Sequence, residues 1–171
     1  MSTLDNTRPY RGSHLPLLMG AVQATSGPIL ELGCGVYSTL YLHWACYATK
    51  RKLVSYEDNP RYFPFANQFR SDYHDVINVE NGAWDSVDLS GPYSVVLVDQ
   101  GSEAVRVAVM PRLVHIDYVV CHDTGGGRRY NHNGVRDAGM KVFKYAFHYD
   151  LAFPATSVFS SIHDLKEFKP A

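Results

Sequence analysis

The sequence lacks an apolar run approaching the ~20 residues that a membrane-spanning helix needs. Its polar first segment, residues 1–12, also lacks the apolar centre of a signal peptide. Neither sign of charge is in excess, because 16 lysines and arginines face 17 aspartates and glutamates, and the formal net charge is −1. Such a balance gives no overall attraction to nucleic acid or to an anionic membrane. These absences predict a cytoplasmic protein that binds neither a membrane nor nucleic acid.

Cysteine is also scarce. The three cysteines, Cys34, Cys46 and Cys121, are odd in number and widely spaced, so they match neither a disulfide framework nor a zinc-binding pattern. What the chain does contain is the mixture of an ordinary globular protein, since 46% of its 171 residues are hydrophobic and 19% are charged. The sequence therefore predicts a single domain over residues 1–171, with an N-terminal helix or lid in 1–27 and a sheet core in 28–171.

Strand-like and helix-like segments alternate along most of the chain. Short apolar runs such as Val95–Val98 are typical of parallel strands that are covered on both faces. Strands are predicted over 28–33, 52–57, 75–80, 93–99 and 117–122, and helices over 15–25, 36–50, 60–73, 102–114 and 134–142. Between the third and fourth strands, about a dozen residues leave room for a very short helix at most. Two later β-rich runs, 144–151 and 156–162, are joined too closely for a parallel crossover, which predicts an antiparallel hairpin.

The segment 27–39 is the most informative part of the chain. A short apolar run carrying Glu31 meets Gly33 and Gly35, and an amphipathic stretch begins at Val36. This pattern predicts a strand, a tight turn and a helix N-terminus, where glycines let the backbone approach a ligand and free N–H groups face it. Dinucleotide sites usually keep the strand apolar and place a third glycine where this chain has Ser38. The acid is instead suited to pair with a cationic ligand.

This segment resembles motif I of the class I S-adenosylmethionine-dependent methyltransferases, in a variant with Ser38-Thr39 in place of the last glycine. The resemblance implies an α/β fold of the Rossmann-like, doubly wound type, with a seven-stranded, mostly parallel sheet that ends in the antiparallel hairpin. It also implies S-adenosyl-L-methionine as the cofactor. The cofactor-binding residues implied by motif I are Glu31, Gly33, Cys34, Gly35, Ser38 and Thr39. The competing interpretation is any glycine-closed turn between a strand and a helix.

Two further segments are candidates for nucleoside binding. Glu57 ends the second strand about 20 residues after the glycines, the spacing at which an acid accepts hydrogen bonds from ribose hydroxyls. The alternative is that Glu57 and its neighbours only cap the following helix. After the third strand, the resemblance implies adenine contacts from Asn81, Gly82, Ala83 and Trp84, with a core role as the alternative for Trp84.

Acids and a histidine follow the fourth and fifth strands. Ligands of open α/β sheets bind beyond the carboxyl ends of strands, so Asp99, His122 and Asp123 are candidate catalytic residues. The resemblance places Asp99 near the transferred methyl group. Asp99 and Asp123 also resemble the metal ligands of magnesium-dependent catechol-type and macrocin-type O-methyltransferases, which leaves a bound Mg²⁺ open. The alternatives are a metal-free site with His122 or Asp123 as base, and a purely turn-forming Asp123.

A glycine-rich loop after the fifth strand is a candidate lid. Within it, Arg128-Arg129 either clamp an anionic group of the substrate or are merely solvated, and His132 is a candidate general base. At the other end of the chain, Ser13-His14 either start a lid helix or provide Ser13 as a helix N-cap.

Together these motifs predict an S-adenosylmethionine-dependent methyltransferase that methylates an oxygen of a small polar or sugar-like acceptor. The chain has no Asn/Asp-Pro-Pro-Tyr-type motif after the fourth strand, which disfavours amino-group methylation of DNA or protein. Two alternatives stay open. An NAD-dependent oxidoreductase is disfavoured by Glu31 and by the hairpin, and a non-catalytic cofactor-binding protein is compatible with the small size of the chain. A small-molecule substrate is expected, and a homo-oligomer is left open.

Overall fold

Seven strands form one sheet in the computed structural model of the chain, which describes residues 12–125 and 132–171. The strands are β1 (Ile29–Leu32), β2 (Leu53–Glu57), β3 (His74–Asn78), β4 (Val95–Val98), β5 (Tyr118–Cys121), β6 (Tyr145–Tyr149) and β7 (Thr156–Ser160). Their order across the sheet is β3-β2-β1-β4-β5-β7-β6. Strands β1 to β5 are parallel, and β7 is antiparallel to both β5 and β6. The predicted Rossmann-like sheet with its C-terminal antiparallel hairpin is confirmed.

Five α-helices flank this sheet in the described part of the chain: α1 (Leu15–Gln23), α2 (Ser38–Thr49), α3 (Phe63–Ala66), α4 (Glu103–Val109) and α5 (Asn133–Val142). Two of them are shorter than predicted. The segment before α3 is a turn, in which the Asn59 carbonyl accepts from the amides of Tyr62 and Phe63. Helix α4 changes to a 3₁₀ turn at Met110–Leu113, where Pro111 has no N–H to donate. As predicted, only short 3₁₀ turns join β3 to β4.

The core lies on both faces of the sheet. All four residues of β4 are fully buried, and because side chains alternate along a strand they pack on opposite sides. Val96 and Val98 join a cluster with Met110, and Val95 and Leu97 join one with Leu17 of α1. Each such side chain stabilises the fold by roughly 1.5–3 kcal/mol relative to an exposed position. Both faces being covered, ligands have access only at the sheet ends and edges.

In the described ranges, no helix combines the length and the apolar character that crossing a membrane requires.

Candidate functional site

A cavity of about 300 Å³ lies at the carboxyl ends of the central strands. Strand order reverses between β1 and β4, and open α/β sheets bind their ligands at such a reversal. The residues that line the cavity are contributed by the segment before α1 (His14), by the loop after β1 (Gly33, Cys34, Gly35, Val36, Tyr37) and Ser38, by β2 and the loop after it (Glu57, Asp58, Asn59, Tyr62), by the loop after β4 (Asp99, Gln100, Gly101), by the loop after β5 (His122, Asp123) and by Pro154.

The turn after β1 requires glycine. Gly33 has φ +87°, and a Cβ atom there would lie 2.5 Å from the backbone nitrogen of Gln100. The loops after β1 and β4 therefore approach each other more closely than any side chain at position 33 would allow. At Gly35, by contrast, a Cβ would meet only the Ser38 hydroxyl, at 3.6 Å. The backbone at Gly35 is consequently open for close approach by a ligand.

Glu31 lies beneath this turn and not in the cavity. It is fully buried, and its carboxylate accepts hydrogen bonds from the hydroxyls of Thr39 (3.0 and 3.1 Å) and Ser55 (2.6 Å). The Thr39 hydroxyl in turn accepts from the amide of Gly35 at 3.0 Å. The expected pairing of Glu31 with a cationic ligand stays a prediction. Glu31 and Thr39 support the turn from behind.

Glu57 does reach the cavity, at the end of β2. Its carboxylate accepts from the backbone amides of Cys34 (2.6 Å) and Asn59 (2.7 Å). Burial raises the pKa of Glu57 to about 7, although both amide hydrogen bonds lower it. A carboxylate has about four acceptor positions, so two are left for a ligand. Glu57 joins the loops after β1 and β2, and its expected contact with a ribose stays a prediction.

The segment 81–84 does not line this cavity, and its expected contact with adenine stays a prediction. Asn81, Gly82 and Ala83 are exposed, whereas Trp84 is 3% exposed and packs in the core. The Trp84 indole donates a hydrogen bond to Asp58 at 3.0 Å. Burial of the indole pulls this segment toward the core, and Asp58 is the residue that faces the cavity on this side.

Arg106, which sequence reasoning missed, is the centre of a charged cluster that contains the candidate residues Asp99, His122 and Asp123. Its guanidinium donates to three backbone carbonyls, those of Asp99 (3.0 Å), Gln100 (2.8 Å) and His122 (3.0 Å). It also pairs with the carboxylates of Asp99 (3.0 Å) and Asp123 (3.7 Å). Arg106 is only 4% exposed. One buried arginine therefore holds the loops after β4 and β5 together.

His122 is bound on both sides of its ring. Nδ1 lies 3.3 Å from Asp99, and Nε2 lies 3.1 Å from the Ser13 hydroxyl. That hydroxyl donates its single hydrogen to the carbonyl of Pro154 at 2.7 Å, so it accepts from His122. Burial opposes a charge on His122, but Asp99 outweighs it and the pKa of His122 is raised. The role of base that the sequence left open for His122 stays a prediction.

The Mg²⁺ site that the sequence left open at Asp99 and Asp123 does not fit the structure. Mg²⁺ requires several oxygen ligands in near-octahedral geometry, but both carboxylates already share the guanidinium of Arg106. The guanidinium of Arg106 therefore takes the position between Asp99 and Asp123 that a Mg²⁺ ion would need.

His132, a candidate general base, lies near the cavity but does not line it. His132 Nδ1 lies 3.4 Å from Glu103, and its amide donates to the Asp123 carbonyl at 2.9 Å. It therefore supports the backbone at Asp123. Residues 126–131, which include Arg128 and Arg129, lie outside the described residues.

His14 was named from the sequence only together with Ser13, as a possible start of a lid helix. It occupies the N-cap position of α1, where Ser13 was expected, and it makes no side-chain capping bond. The ring is 2% exposed, lines the cavity and packs edge-on against His122 with 4.4 Å between ring centroids. Neither ring nitrogen has a hydrogen-bond partner among the described residues. Burial lowers the pKa of His14 to about 3, so the ring is neutral.

The fold is similar to solved methyltransferase structures. A methyltransferase from Podospora anserina (PaMTH1) with bound S-adenosylhomocysteine aligns with a TM-score of 0.62 at 14% identity, over 88% of this chain and 77% of that one. An O-methyltransferase from Bacillus cereus in complex with the same molecule gives 0.61 at 14% identity, over 91% and 82%. A methyltransferase from Pyrococcus furiosus gives 0.54 at 14% identity, over 84% and 81%. No family model and no curated protein matches the chain. These structures show that the chain has the class I methyltransferase fold.

Proposed function

We propose that this chain, which has the class I methyltransferase fold, transfers a methyl group from S-adenosylmethionine to an oxygen atom of a small polar or sugar-like acceptor. The observation that carries the proposal is a single cavity with two chemically different ends. The glycine turn and Glu57 form one end, and the cluster around Asp99 and Asp123 forms the other.

The first end suits the cofactor. The backbone at Gly35 is open to a ligand, and the two remaining acceptor positions of Glu57 suit a ribose diol. Gln100 lines the same cavity, and in the described part of the chain its buried side-chain amide has no hydrogen-bond partner. Buried amides are rarely left unpaired, so Gln100 is available to a polar group of a ligand. S-Adenosylmethionine, when bound, supplies an electrophilic methyl group on its sulfonium sulfur.

The second end suits the acceptor. In O-methylation the acceptor oxygen forms a bond to the methyl carbon while the carbon–sulfur bond breaks, the electron pair stays on sulfur, and the hydroxyl proton leaves. Asp123 lines the cavity, and its Oδ1 has no hydrogen-bond partner within the described residues. Asp123 would accept the proton, while Arg106 and His122 hold its carboxylate in place. In such a displacement, alignment of the reacting atoms supplies much of the rate.

Calorimetry with S-adenosylhomocysteine and with NAD tests the cofactor assignment. We expect S-adenosylhomocysteine to bind with one-to-one stoichiometry and to raise the melting temperature, because a ligand of the native state stabilises it. NAD should do neither. Binding of NAD alone would contradict the proposal and favour an oxidoreductase. An acceptor panel of small hydroxylated compounds, followed by mass spectrometry of the products, then tests methyl transfer to oxygen.

Glu57→Gln should weaken binding of S-adenosylhomocysteine by about 1–3 kcal/mol, which is roughly 5- to 150-fold in Kd. The glutamine oxygen can still accept from Cys34, but its NH₂ group cannot accept from Asn59 or from a ribose hydroxyl. Glu80→Gln is the matched control, since Glu80 is an exposed acid outside the cavity. Equal affinity of the Glu57 variant, the control and the wild type would show that Glu57 only joins the two loops.

A further inference from the structure

We infer that His14, Asp99 and His122 form a binding site for a divalent transition-metal ion of the Zn²⁺ type at the acceptor end of the cavity. One possible ligand atom from each of these side chains lies within 4.8 Å of the other two. His14 and His122 are almost fully buried, and all three residues line the cavity. The site differs from the Asp99 and Asp123 pair that the sequence left open for Mg²⁺, both in its residues and in its metal.

The surroundings of His122 are those of a metal ligand. In metal sites, a ligating histidine usually donates its other ring N–H to a fixed acceptor, which sets the orientation of the ring. Here Nε2 donates to the Ser13 hydroxyl, which is itself fixed by the Pro154 carbonyl. Nδ1 is left facing the Asp99 carboxylate at 3.3 Å. A metal ion would take the place of the proton between these two atoms.

Asp99 is supported in the same way. One of its oxygens pairs with Arg106 at 3.0 Å, and the other faces His122. The charges also suit a cation, because two carboxylates, Asp99 and Asp123, share one guanidinium. With neutral imidazole rings, the cluster keeps one net negative charge to attract a divalent ion.

His14 is the observation that points most directly to a ligand. A buried imidazole nearly always has a hydrogen-bond partner, yet both nitrogens of this one are without a partner among the described residues. Ser13 and His14 are consecutive, so one short segment both orients His122 and brings the second imidazole to it. A metal ion at this position would satisfy the orphaned nitrogen that faces Asp99 and His122.

The donor set determines the kind of ion. Two imidazoles and one carboxylate suit Zn²⁺, Fe²⁺ or Co²⁺, whereas Mg²⁺ prefers oxygen ligands alone. Three protein ligands also leave at least one coordination position open. We expect the open position to hold the acceptor hydroxyl and to make it easier to deprotonate. This expectation rests on the proposed function, whereas the metal site itself does not depend on it.

Metal titrations of the chelator-treated full chain test this inference. We expect one equivalent of Co²⁺ to bind and to give the visible absorption of a four- or five-coordinate site, and Zn²⁺ to displace it. Mg²⁺ in large excess should not displace Co²⁺. The cavity-lining thiol of Cys34 is the competing ligand, and a thiolate bound to Co²⁺ would add strong near-ultraviolet absorption. Such absorption, or the absence of stoichiometric binding, would overturn the inference.

Variants then locate the site. His14→Ala should lower Zn²⁺ affinity by at least roughly tenfold, and Ser13→Ala should lower it by roughly 10- to 100-fold through His122. His115→Ala removes an exposed histidine and should change nothing. S-Adenosylhomocysteine binding by the same samples shows that each variant is folded, and His14→Gln replaces His14→Ala if the latter does not fold. Unchanged Zn²⁺ affinity in folded His14 variants would refute the site, and it would leave the cofactor assignment intact.

Discussion

Replacing Arg106 with methionine should lower the free energy of unfolding by about 3–5 kcal/mol, the loss that follows when one partner of a buried charge cluster is removed. The change leaves the carboxylates of Asp99 and Asp123 without their guanidinium. It also leaves the carbonyls of Asp99, Gln100 and His122 without the donors that they have here. Methionine retains most of the apolar stem of the arginine, so the loss reports the polar contacts. Urea unfolding at neutral pH measures it.

Two matched variants make this prediction specific. Arg112→Met removes a half-buried arginine that donates to two carbonyls, those of Trp84 and Val87, and forms no ion pair among the described residues. We expect a smaller loss there, of about 0.5–1.5 kcal/mol for each hydrogen bond. Arg106→Lys keeps the charge but loses the planar guanidinium group. Its loss in the free energy of unfolding should lie between those of Arg106→Met and Arg112→Met. If Arg106→Met and Arg112→Met were equally destabilising, the cluster would not depend on Arg106.

The sheet was predictable because its signals are local. The buried run Val95–Val98 and the short link before β7 are visible in the sequence, and the structure confirms the strands that they predict. The predicted ends of the helices were less accurate. Pro111 was the available signal for the early end of α4, and the turn at Asn59 depends on backbone hydrogen bonds that no residue pattern showed.

Asp99, His122 and Asp123 were candidates from the sequence, but Arg106 and the contact of His14 with His122 were not predictable in the same way. Arg106 lies on α4 and reaches two loops that are close only in the folded chain. The available signal was a single charge between Val105 and Val107, which more often marks a solvated face of a helix. His14 lies more than 100 residues from its neighbour His122, and only the folded sheet brings them together.

Residues 81–84 show how one large side chain decides where a short loop lies. The sequence left a core role open for Trp84, and its side chain is buried in the core. A tryptophan side chain dominates the energetics of a short loop, so its burial decides where the neighbouring residues lie. Asp58, held by the Trp84 indole, lines the cavity.

Glu31→Gln should reduce the loss of stability that the wild type undergoes as the pH rises. Burial raises the pKa of Glu31 from 4.5 to about 7, although hydrogen bonds from hydroxyls lower it. Between these two values, the unfolded chain has released a proton that the folded chain still binds. The free energy of unfolding therefore falls as the pH rises from about 4.5 to about 7. Glutamine carries no such proton, so this contribution is absent from the variant.

The difference in stability between Glu31→Gln and the wild type should therefore grow in favour of the variant, by roughly 2–3 kcal/mol from pH 5 to pH 8. His74 lies next to Glu31 through Ser55, and burial lowers the pKa of His74 to about 4. The contribution of His74 to the pH dependence has the opposite sign. A histidine that is buried in its neutral form makes the protein less stable as the pH falls. It is present in both proteins and cancels in the difference.

The exposed-site control Glu80→Gln should show no such growth in its stability difference from the wild type. Parallel pH profiles for Glu31→Gln and the wild type would mean that Glu31 is ionised at neutral pH, with the hydroxyls of Thr39 and Ser55 outweighing its burial.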